Sequence, residues 1–219
     1  MAWLMVALNE RKKQRTRRQI GETALRLFLE RGFEQVSVAE IAEAAEVSAK
    51  TVYNYFPTKA HLVFDDDQAV LDALVAAIRG RKPGDSALTA VRGVLANLGG
   101  RMGDRRPPQA RAAFRRMVTS SPSLRSHQRA IAARYEATLA DVLVEQTGAP
   151  PGSAEPFVAA VALIGALRAG FEAAEASGGL DAATTRALDL LEAGLAGYAL
   201  AQHDPAATSP SPTGHPPGS

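Results

Sequence analysis

Cysteine is absent from this chain of 219 residues, and aromatic residues make up only 5% of it. Without cysteine there is no disulfide framework, no thiolate metal site and no cysteine nucleophile, and a reducing compartment is expected. Alternating runs of β-branched and aromatic residues are also scarce, so we predict no strand. The remaining composition, 46% hydrophobic and 22% charged, is typical of a folded globular protein.

Long hydrophobic runs are missing as well. A helix that spans a bilayer needs about 20 apolar residues, whereas the longest internal run, residues 157–167, ends at Arg168. Positive charges follow the short apolar run at residues 1–8 and do not precede it, which argues against a signal peptide. We therefore expect a soluble cytoplasmic protein with no membrane partner.

The motifs of common enzyme classes are absent, including the phosphate-binding GxxxxGK, the metalloprotease HExxH and the hydrolase GxSxG. One cluster can be considered for a divalent metal, because His61 and Asp65 stand four residues apart beside Asp66 and Asp67. A solvated acidic stretch is the simpler interpretation, since no further ligand lies nearby in the sequence. We predict no enzyme, no metal site and no cofactor.

The first sixty residues predict three helices. The first covers about Arg15–Arg31 and has apolar residues at helical spacing. Ser37 and Glu40 form a capping box that starts a second helix. Ser48 caps a third, which Pro57 forces to end. Two short helices joined by so tight a turn form a helix-turn-helix. The apolar positions of the first helix are Ile20, Ala24, Leu27 and Phe28.

The third helix has the residue types of a nucleic-acid reader. At about 100° per residue, Ala49, Val52 and Phe56 form one buried stripe. The outward positions carry a cation, a hydroxyl, an amide and two phenols. These groups can contact phosphates, guanine, adenine and the thymine methyl. A polar surface helix that binds no DNA is the alternative. The outward residues are Lys50, Thr51, Tyr53, Asn54 and Tyr55.

A basic segment precedes the first helix and favours the DNA-binding interpretation. Residues 10–18 contain six cations and one carboxylate. Such arms bind phosphates or enter a minor groove. We therefore expect Arg15, Arg17 and Arg18 to contact DNA, and Lys50, Thr51 and Asn54 to determine sequence choice.

The segment from Arg15 to about Leu74 resembles the DNA-binding domain of the tetracycline-repressor (TetR) family. The resemblance depends on Gly32 and Phe33, on the segments 37–42 and 47–59, on Leu62 and on the apolar positions of the first helix. It implies an all-α homodimer, in which a three-helix N-terminal DNA-binding domain precedes a larger domain that binds an effector and dimerises. Members of this family usually act as repressors.

The resemblance also implies roles for single residues. Ser37 matches a phosphate contact, Lys50 and Thr51 match base-reading positions, and Tyr53 and Tyr55 match backbone contacts. Many members have histidine where this chain has Tyr55. Lys59 matches a lysine that holds a phosphate together with a helix N-terminus. The full predicted DNA-binding set is Arg15, Arg17, Arg18, Ser37, Ser48, Lys50, Thr51, Tyr53, Asn54, Tyr55 and Lys59.

The predicted domain organisation has four parts. A flexible basic arm covers residues 1–14, a helix-turn-helix domain covers 15–60 with the family-type domain reaching about 74, an effector-binding and dimerisation domain covers 61–202, and a disordered tail covers 203–219. Thr58 is predicted to cap a continuous fourth helix to Arg79. Further helices are predicted over about 86–98, 109–119, 122–147, 156–177 and 181–202.

Seven arginines and one aspartate occupy residues 101–125. Some of these arginines can recognise an acidic effector through bidentate bonds; the alternative is a solvated or DNA-facing basic surface. Apolar residues nearby can line an effector pocket or simply form the core. The candidate pocket residues are Leu95, Leu98, Met102, Phe114, Arg115, Met117 and Tyr135.

The last two predicted helices combine small and large apolar residues over a broader surface than one neighbouring helix needs. The resemblance implies a four-helix contact between subunits here, and an intramolecular hairpin core is the alternative. The predicted dimer interface consists of Val158, Ala162, Gly165, Ala166, Ala169, Leu188, Leu191 and Leu195.

Together these features predict a transcriptional repressor that binds double-stranded operator DNA as a homodimer and leaves a palindromic operator when a small-molecule effector binds. The alternative is a helical ligand-binding or scaffold protein without specific DNA binding.

Overall fold

A computed structural model describes residues 2–82, 84–94, 108–150, 152–174 and 179–194. Every regular element in these ranges is helical, which confirms the all-α prediction. The helices are α1 (Ala2–Arg31), α2 (Val38–Ala44), α3 (Ala49–Tyr55), α4 (Asp67–Arg79), α5 (described over 87–94), α6 (Pro108–Ser120), α7 (Pro122–Thr147), α8 (Ala154–Ala173) and α9 (Leu180–Ala193), with a 3₁₀ turn at Lys59–Leu62.

The helix-turn-helix has the predicted local geometry. Ser37 and Glu40 make both bonds of the capping box at the start of α2, and the Ser48 side chain accepts from the Thr51 amide at the start of α3. Between them the turn places Glu46 at a φ of 55°, a conformation that costs a non-glycine residue free energy. Gln19 of α1 donates to the Ala45 carbonyl over 3.0 Å and holds this turn against the first helix.

Two local predictions are wrong. The flexible arm predicted for residues 1–14 is instead the first half of α1, because this segment lacks glycine and proline and is rich in strong helix formers. The predicted helix from Thr58 to Arg79 is broken between Leu62 and Asp67, and Thr58 makes no capping bond. Three consecutive aspartates, residues 65–67, favour a new helix N-terminus over a helix interior.

The last two helices end earlier than the sequence predicts. The structure ends α8 at Ala173 and α9 at Ala193. The predicted disordered tail, residues 203–219, lies outside the described residues. The segment 95–107, which includes the predicted end of the fifth helix, also lies outside them.

One apolar core belongs to the N-terminal unit, which we define as α1–α3 with the 3₁₀ turn. Its centre is Phe28, Val52 and Phe56, each 1% exposed. The same core contains three residues from far along the chain, at the junction of α6 and α7, which we call the α6–α7 corner: Met117, Val118 and Leu124. The corner therefore completes the core of the N-terminal unit.

Polar contacts reinforce this corner. The hydroxyl of Ser121 caps α7 by accepting from the Leu124 amide, and it donates to Glu34 Oε1 over 2.6 Å. Ser123 donates to the same oxygen over 3.1 Å. These hydroxyl donors lower the pKa of Glu34, with that of Ser121 contributing most.

A second apolar core joins α4, α5, α7, α8 and α9, and we call these helices the C-terminal unit. Its members include Leu74, Ile78, Leu139 and Leu188. Helices α8 and α9 approach closely where Gly170 meets Thr184, because a Cβ on Gly170 would lie only 2.9 Å from Thr184 Cα.

Two further contacts lie along α7, one within the C-terminal unit and one that joins it to the N-terminal unit. Arg134 pairs with Asp67 over 2.7 Å, and the Tyr135 hydroxyl donates to the Asp67 carbonyl, so the start of α4 is fixed on α7. Next to them, the rings of His61 and His127 meet edge to face with centroids 4.6 Å apart. Phe64 stacks on His127 at 5.5 Å.

Truncating Leu124 should destabilise the protein strongly. This side chain is fully buried in the N-terminal core, so Leu124→Ala is expected to lower the free energy of unfolding by about 2–5 kcal/mol. Leu8→Ala is the matched control, because Leu8 is 57% exposed and its loss should change stability by less than about 0.5 kcal/mol. Urea unfolding measures both variants, and equal effects would contradict the packing of the corner.

Acid should lower the free energy of unfolding through His127, which lies at the contact between the units. The pKa of His127 lies below its ordinary value, because burial and the nearby His61 and Arg134 disfavour the charged form, while Asp67 acts in the opposite direction. Unfolded histidine titrates near 6.5, so the unfolded chain takes up this proton first as the pH falls below that value. The free energy of unfolding therefore decreases.

His127→Gln should make the loss of stability between about pH 7.5 and pH 5.5 smaller than in the wild type, since the variant lacks this titration. Urea unfolding across that range provides the measurement. The same pH dependence in both proteins would show that His127 is not responsible.

Candidate nucleic-acid interface

The third helix exposes three of the five side chains that the sequence predicts to face outward, and two of these three, Lys50 and Asn54, are predicted for base reading. Val52 and Phe56 anchor α3 in the N-terminal core. Lys50, Tyr53 and Asn54 are exposed on its outer side and, in the part of the chain that the structure describes, they make no side-chain hydrogen bond. The helix therefore offers an ammonium, a phenol and an amide to a partner.

The buried stripe of this helix is narrower than predicted. Ala49 is exposed, because it belongs to the first turn and lies beyond the edge of the core. Thr51 is half-buried, and its hydroxyl pairs with Ser48 Oγ over 2.8 Å.

Ser37 and Ser48, which the sequence predicts to contact DNA, both cap helices. Ser37 Oγ accepts from the Glu40 amide over 3.2 Å and donates to Glu40 Oε2 over 2.8 Å. Arg31 pairs with the same carboxylate over 2.6 Å. The backbone N–H of Ser37 and the Arg31 guanidinium lower the pKa of Glu40 to about 2. Ser37 and Ser48 therefore position the starts of α2 and α3.

Lys59 does not stand at the start of a long helix. Its Nζ lies 4.4 Å from the ring centroid of Phe33 and 5.7 Å from that of Phe28. It also donates to the Glu34 carbonyl over 3.4 Å. Burial lowers the pKa of Lys59. The helix N-terminus with which Lys59 is predicted to hold a phosphate is here a 3₁₀ turn of four residues.

Arg17 is held inside the N-terminal unit. Its Nη1 donates to the Tyr55 carbonyl over 3.2 Å, its guanidinium pairs with the Asp65 carboxylate, and its Cζ lies 4.8 Å from the Phe56 ring centroid. Tyr55 itself is half-buried against the core. Arg17 therefore lacks the freedom expected of a cation on a flexible arm.

Three other cations of α1 form a continuous face. Arg11, Arg15 and Arg18 follow one another at spacings of four and three residues, are exposed, and lie on the opposite side of the helix from the buried Ile20. Lys13 belongs to the basic segment but not to the predicted DNA contacts. Its ammonium pairs with Glu10 over 3.0 Å and lies close enough to Tyr55 to interact with it electrostatically. Lys13 stands four residues before Arg17, so helical spacing alone places the two side chains on one side of α1.

The predicted effector residues do not meet in one cavity of the described structure. Met117 is buried in the N-terminal core and Tyr135 in the second core. Phe114 contacts Phe171 of α8 with ring centroids 6.3 Å apart, and Arg115 is half-buried on α6. Leu95, Leu98 and Met102 lie outside the described residues.

An open groove of about 360 Å³ lies between the end of α1 and α6. It contains Met117 but neither Phe114 nor Tyr135. Polar and charged side chains, Glu34, Arg116 and Ser120 among them, contribute to its wall.

Helix α8 carries an exposed apolar face. Val158 is 61% exposed, and Ala162, Gly165 and Ala169 follow it on the same side. Phe157 and Val161, which are 54% and 37% exposed, widen this face. We call it the α8 face: residues 157, 158, 161, 162, 165 and 169.

The other predicted interface residues lie elsewhere. Ala166 and Leu188 are 6% and 1% exposed and belong to the second core, so their assignment to the dimer interface is wrong for this arrangement of α8 and α9. They point inward because α8 packs on α7 with the side opposite the α8 face. Leu191 packs against the same core, and Leu195 lies outside the described residues.

Helix α8 is longer than the apolar run suggested. Its 20 residues are sufficient in length and composition to cross a membrane, and a third of its most apolar stretch is buried in the protein. It packs against α7 and α9 and carries Arg168. A helix partly buried in a protein core passes the same test of length and composition.

The acidic cluster considered for a metal is used in ion pairs. Asp65 pairs with Arg17 and Asp67 with Arg134. Among the residues that the structure describes, no group of three or more potential ligands stands together.

Comparisons with known proteins agree with this architecture. Residues 20–65 match the family "Bacterial regulatory proteins, tetR family", and residues 85–196, just over half of the chain, match the "MftR C-terminal domain" of TetR regulators. The transcriptional regulator TcmR of Streptomyces glaucescens is 31% identical over 145 residues, 64% of each chain. TtgR of Pseudomonas putida is 43% identical over 70 residues, 32% of this chain and 31% of that protein. The matches span less than two thirds of the length of either relative.

Solved structures share the fold. The SmeT–triclosan complex superposes with a TM-score of 0.58 at 17% identity and covers 81% of this chain and 90% of that one. NalD, the secondary repressor of the MexAB-OprM multidrug efflux pump in Pseudomonas aeruginosa, has a TM-score of 0.56 at 19% identity, with 83% and 97% covered. Since both halves match models of one family and the fold agrees, this chain belongs to the tetR family of bacterial regulatory proteins.

Proposed function

We propose that this chain is a sequence-specific DNA-binding transcriptional repressor, which a small-molecule effector releases from a palindromic operator. One observation carries the proposal: Lys50, Tyr53 and Asn54 stand outward together on a helix that buried Val52 and Phe56 hold in place. Lysine and asparagine can discriminate base edges, and a phenol can donate to a phosphate. The relatives matched by sequence are regulators, which supports the proposal.

The cationic face of α1 supplies the second part of this interface. Because α1 is helical from Ala2, Arg11, Arg15 and Arg18 cannot enter a minor groove as an extended arm. We infer that they contact phosphates beside the major groove that α3 enters. Such contacts add affinity and salt dependence without adding sequence choice.

The α8 face supports a homodimer. An exposed apolar face of this extent on a charged protein marks an interaction surface, and its small residues let a second helix approach closely. Two copies related by a two-fold axis would place two α3 helices in successive major grooves, about 34–36 Å apart. A palindromic operator follows from that symmetry. Cytoplasmic localisation follows from the same role.

The proposed effector acts on the orientation of the N-terminal unit. A ligand can shift an equilibrium only by its different affinity for two states. The units meet along α7, through Leu124 and His127, so an effector bound in the C-terminal unit can reach α3 through this helix. The SmeT–triclosan complex, whose fold is similar, supports a small organic ligand. Phe114 and Arg115 are the described candidates to contact it.

Exchanges on α3 test base reading. A duplex selected by the protein from a random pool serves as the operator, and a scrambled duplex of equal length serves as its control. Asn54→Ala should reduce the ratio of the two affinities by about 5- to 150-fold, because one bidentate base contact is worth about 1–3 kcal/mol. Lys50→Ala should weaken operator binding, because it removes a cation from the DNA-facing side of α3, and it should reduce the slope of log affinity against log salt, because fewer counterions are then released.

Lys82→Ala is the matched control, because Lys82 is an exposed cation on the turn after α4, distant in the chain from α3. It should leave operator affinity within about twofold of the wild type. If the wild type selects no sequence from the pool, the alternative of a helical ligand-binding or scaffold protein without specific DNA binding replaces the proposal.

Charging the α8 face tests the dimer. Val158→Glu places a carboxylate in the proposed apolar contact, and burial of an unpaired charge is costly, so the dimer dissociation constant should rise at least about tenfold. Ala133→Glu on the exposed side of α7 is the control and should leave it unchanged. Sedimentation velocity over a concentration series measures both; a dissociation constant unaffected by Val158→Glu would place the interface elsewhere.

A further inference from the structure

Arg17 connects α1, α3 and the segment that precedes α4 with one side chain. It extends from α1, donates to the carbonyl of Tyr55 at the end of α3, and pairs with Asp65 in the segment that leads into α4. Nη2 also lies 3.5 Å from the Asp65 carbonyl. The guanidinium rests over the Phe56 ring, which is itself 1% exposed.

The Tyr55 carbonyl is a demanding acceptor to satisfy. The last carbonyls of a helix have no partner within the helix, and α3 has only seven residues. The residue two positions further on is Pro57, which has no N–H to donate. A cation at this end also interacts favourably with the partial negative charge of the helix C-terminus. The Phe56 amide donates to the Val52 carbonyl. Arg17 therefore supplies the donor for the Tyr55 carbonyl at the C-terminal end of α3.

The charge of Arg17 is already compensated. Its partner Asp65 is only 27% exposed, whereas the Arg17 side chain is 44% exposed. Because the pair is close to neutral, it contributes little attraction toward phosphates. Arg15 and Arg18, in contrast, are exposed, and the described residues offer them no ion pair.

Lysine cannot reproduce this arrangement. The planar guanidinium can donate to the Tyr55 carbonyl from one nitrogen and to Asp65 from another while it stacks on Phe56, whereas an ammonium is a compact point charge. A phosphate contact that depends on charge alone would tolerate the exchange. The two roles are therefore separable by experiment.

We propose that Arg17 is a positioning residue, which orients the recognition helix for base reading and does not itself hold a phosphate. This inference rests on the proposed DNA-binding function. It assigns to Asp65 a role in the same device, as the carboxylate that keeps the guanidinium turned toward α3.

Sequence discrimination and salt dependence of binding, measured together, distinguish a positioning residue from a phosphate ligand. Each phosphate neutralised adds about 0.9 to the slope of log affinity against log salt. Affinities for the selected operator and the scrambled duplex are measured at several salt concentrations for Arg17→Lys, Asp65→Asn and Arg18→Ala. We expect Arg17→Lys to reduce the operator-to-scrambled ratio at least about tenfold while the slope and the scrambled affinity stay unchanged.

Asp65→Asn provides an independent test, because the two roles predict opposite changes in operator binding. Removing a negative charge near DNA should strengthen binding if only Coulomb attraction mattered. The positioning role predicts the opposite for the operator: a lower operator-to-scrambled ratio, with a slope equal to that of the wild type or steeper, because Arg17 is released. Arg18→Ala is the control for a phosphate ligand. It should lower both affinities together and reduce the slope by about 0.9.

Hydrogen exchange of the free protein separates this inference from the proposed function. Arg17→Lys and Asp65→Asn should each speed amide exchange at the C-terminal end of α3, whereas Arg18→Ala should not. If the wild type fails to discriminate between duplexes, the proposed function fails, and exchange alone still decides the role of Arg17. An unchanged operator-to-scrambled ratio in Arg17→Lys, or unchanged exchange in both variants, would overturn the inference.

Discussion

The insertion of the α6–α7 corner into the N-terminal core is the contact on which the rest of the structure depends. A unit of about 60 residues buries too small a fraction of its surface to be very stable alone. Met117, Val118 and Leu124 add apolar surface to that core from across the chain, and Glu34 fixes the corner through two serine hydroxyls. The orientation of α3 relative to α8 is therefore set by the direction of α7.

The polar residues of the helix-turn-helix divide into those that build it and those that remain available. Ser37, Ser48 and Glu40 are used in caps, and Arg17 and Lys59 are held against aromatic rings and carbonyls. This division follows from the small size of α2 and α3, since a helix of two turns has nearly all of its backbone groups at its ends. Among the described residues, the groups that remain available to DNA include Lys50, Tyr53 and Asn54 on α3 and the cationic face of α1.

A similar division applies to the C-terminal helices. The alternation of small and large apolar residues in α8 indicates an interface, but it does not say which side faces the partner and which faces α7. The packing assigns Ala166 inward and Val158 outward, so one continuous apolar helix serves an internal core and an exposed face. The length and composition that would suit a membrane span arise from this double use.

Local chemistry explains what the sequence by itself determined: the capping box, the Ser48 cap, the stop at Pro57, the bounds of α7 and three outward residues of α3, Lys50, Tyr53 and Asn54. Each of these features is fixed by neighbours within a few positions. Only the tertiary structure decided that Arg17 pairs with Asp65, that Met117 and Tyr135 belong to different cores, and that Lys59 lies on Phe33. Long, flexible side chains choose among partners that folding brings near them. That choice depends on contacts between residues 25 to 87 positions apart, which periodicity and capping rules do not encode.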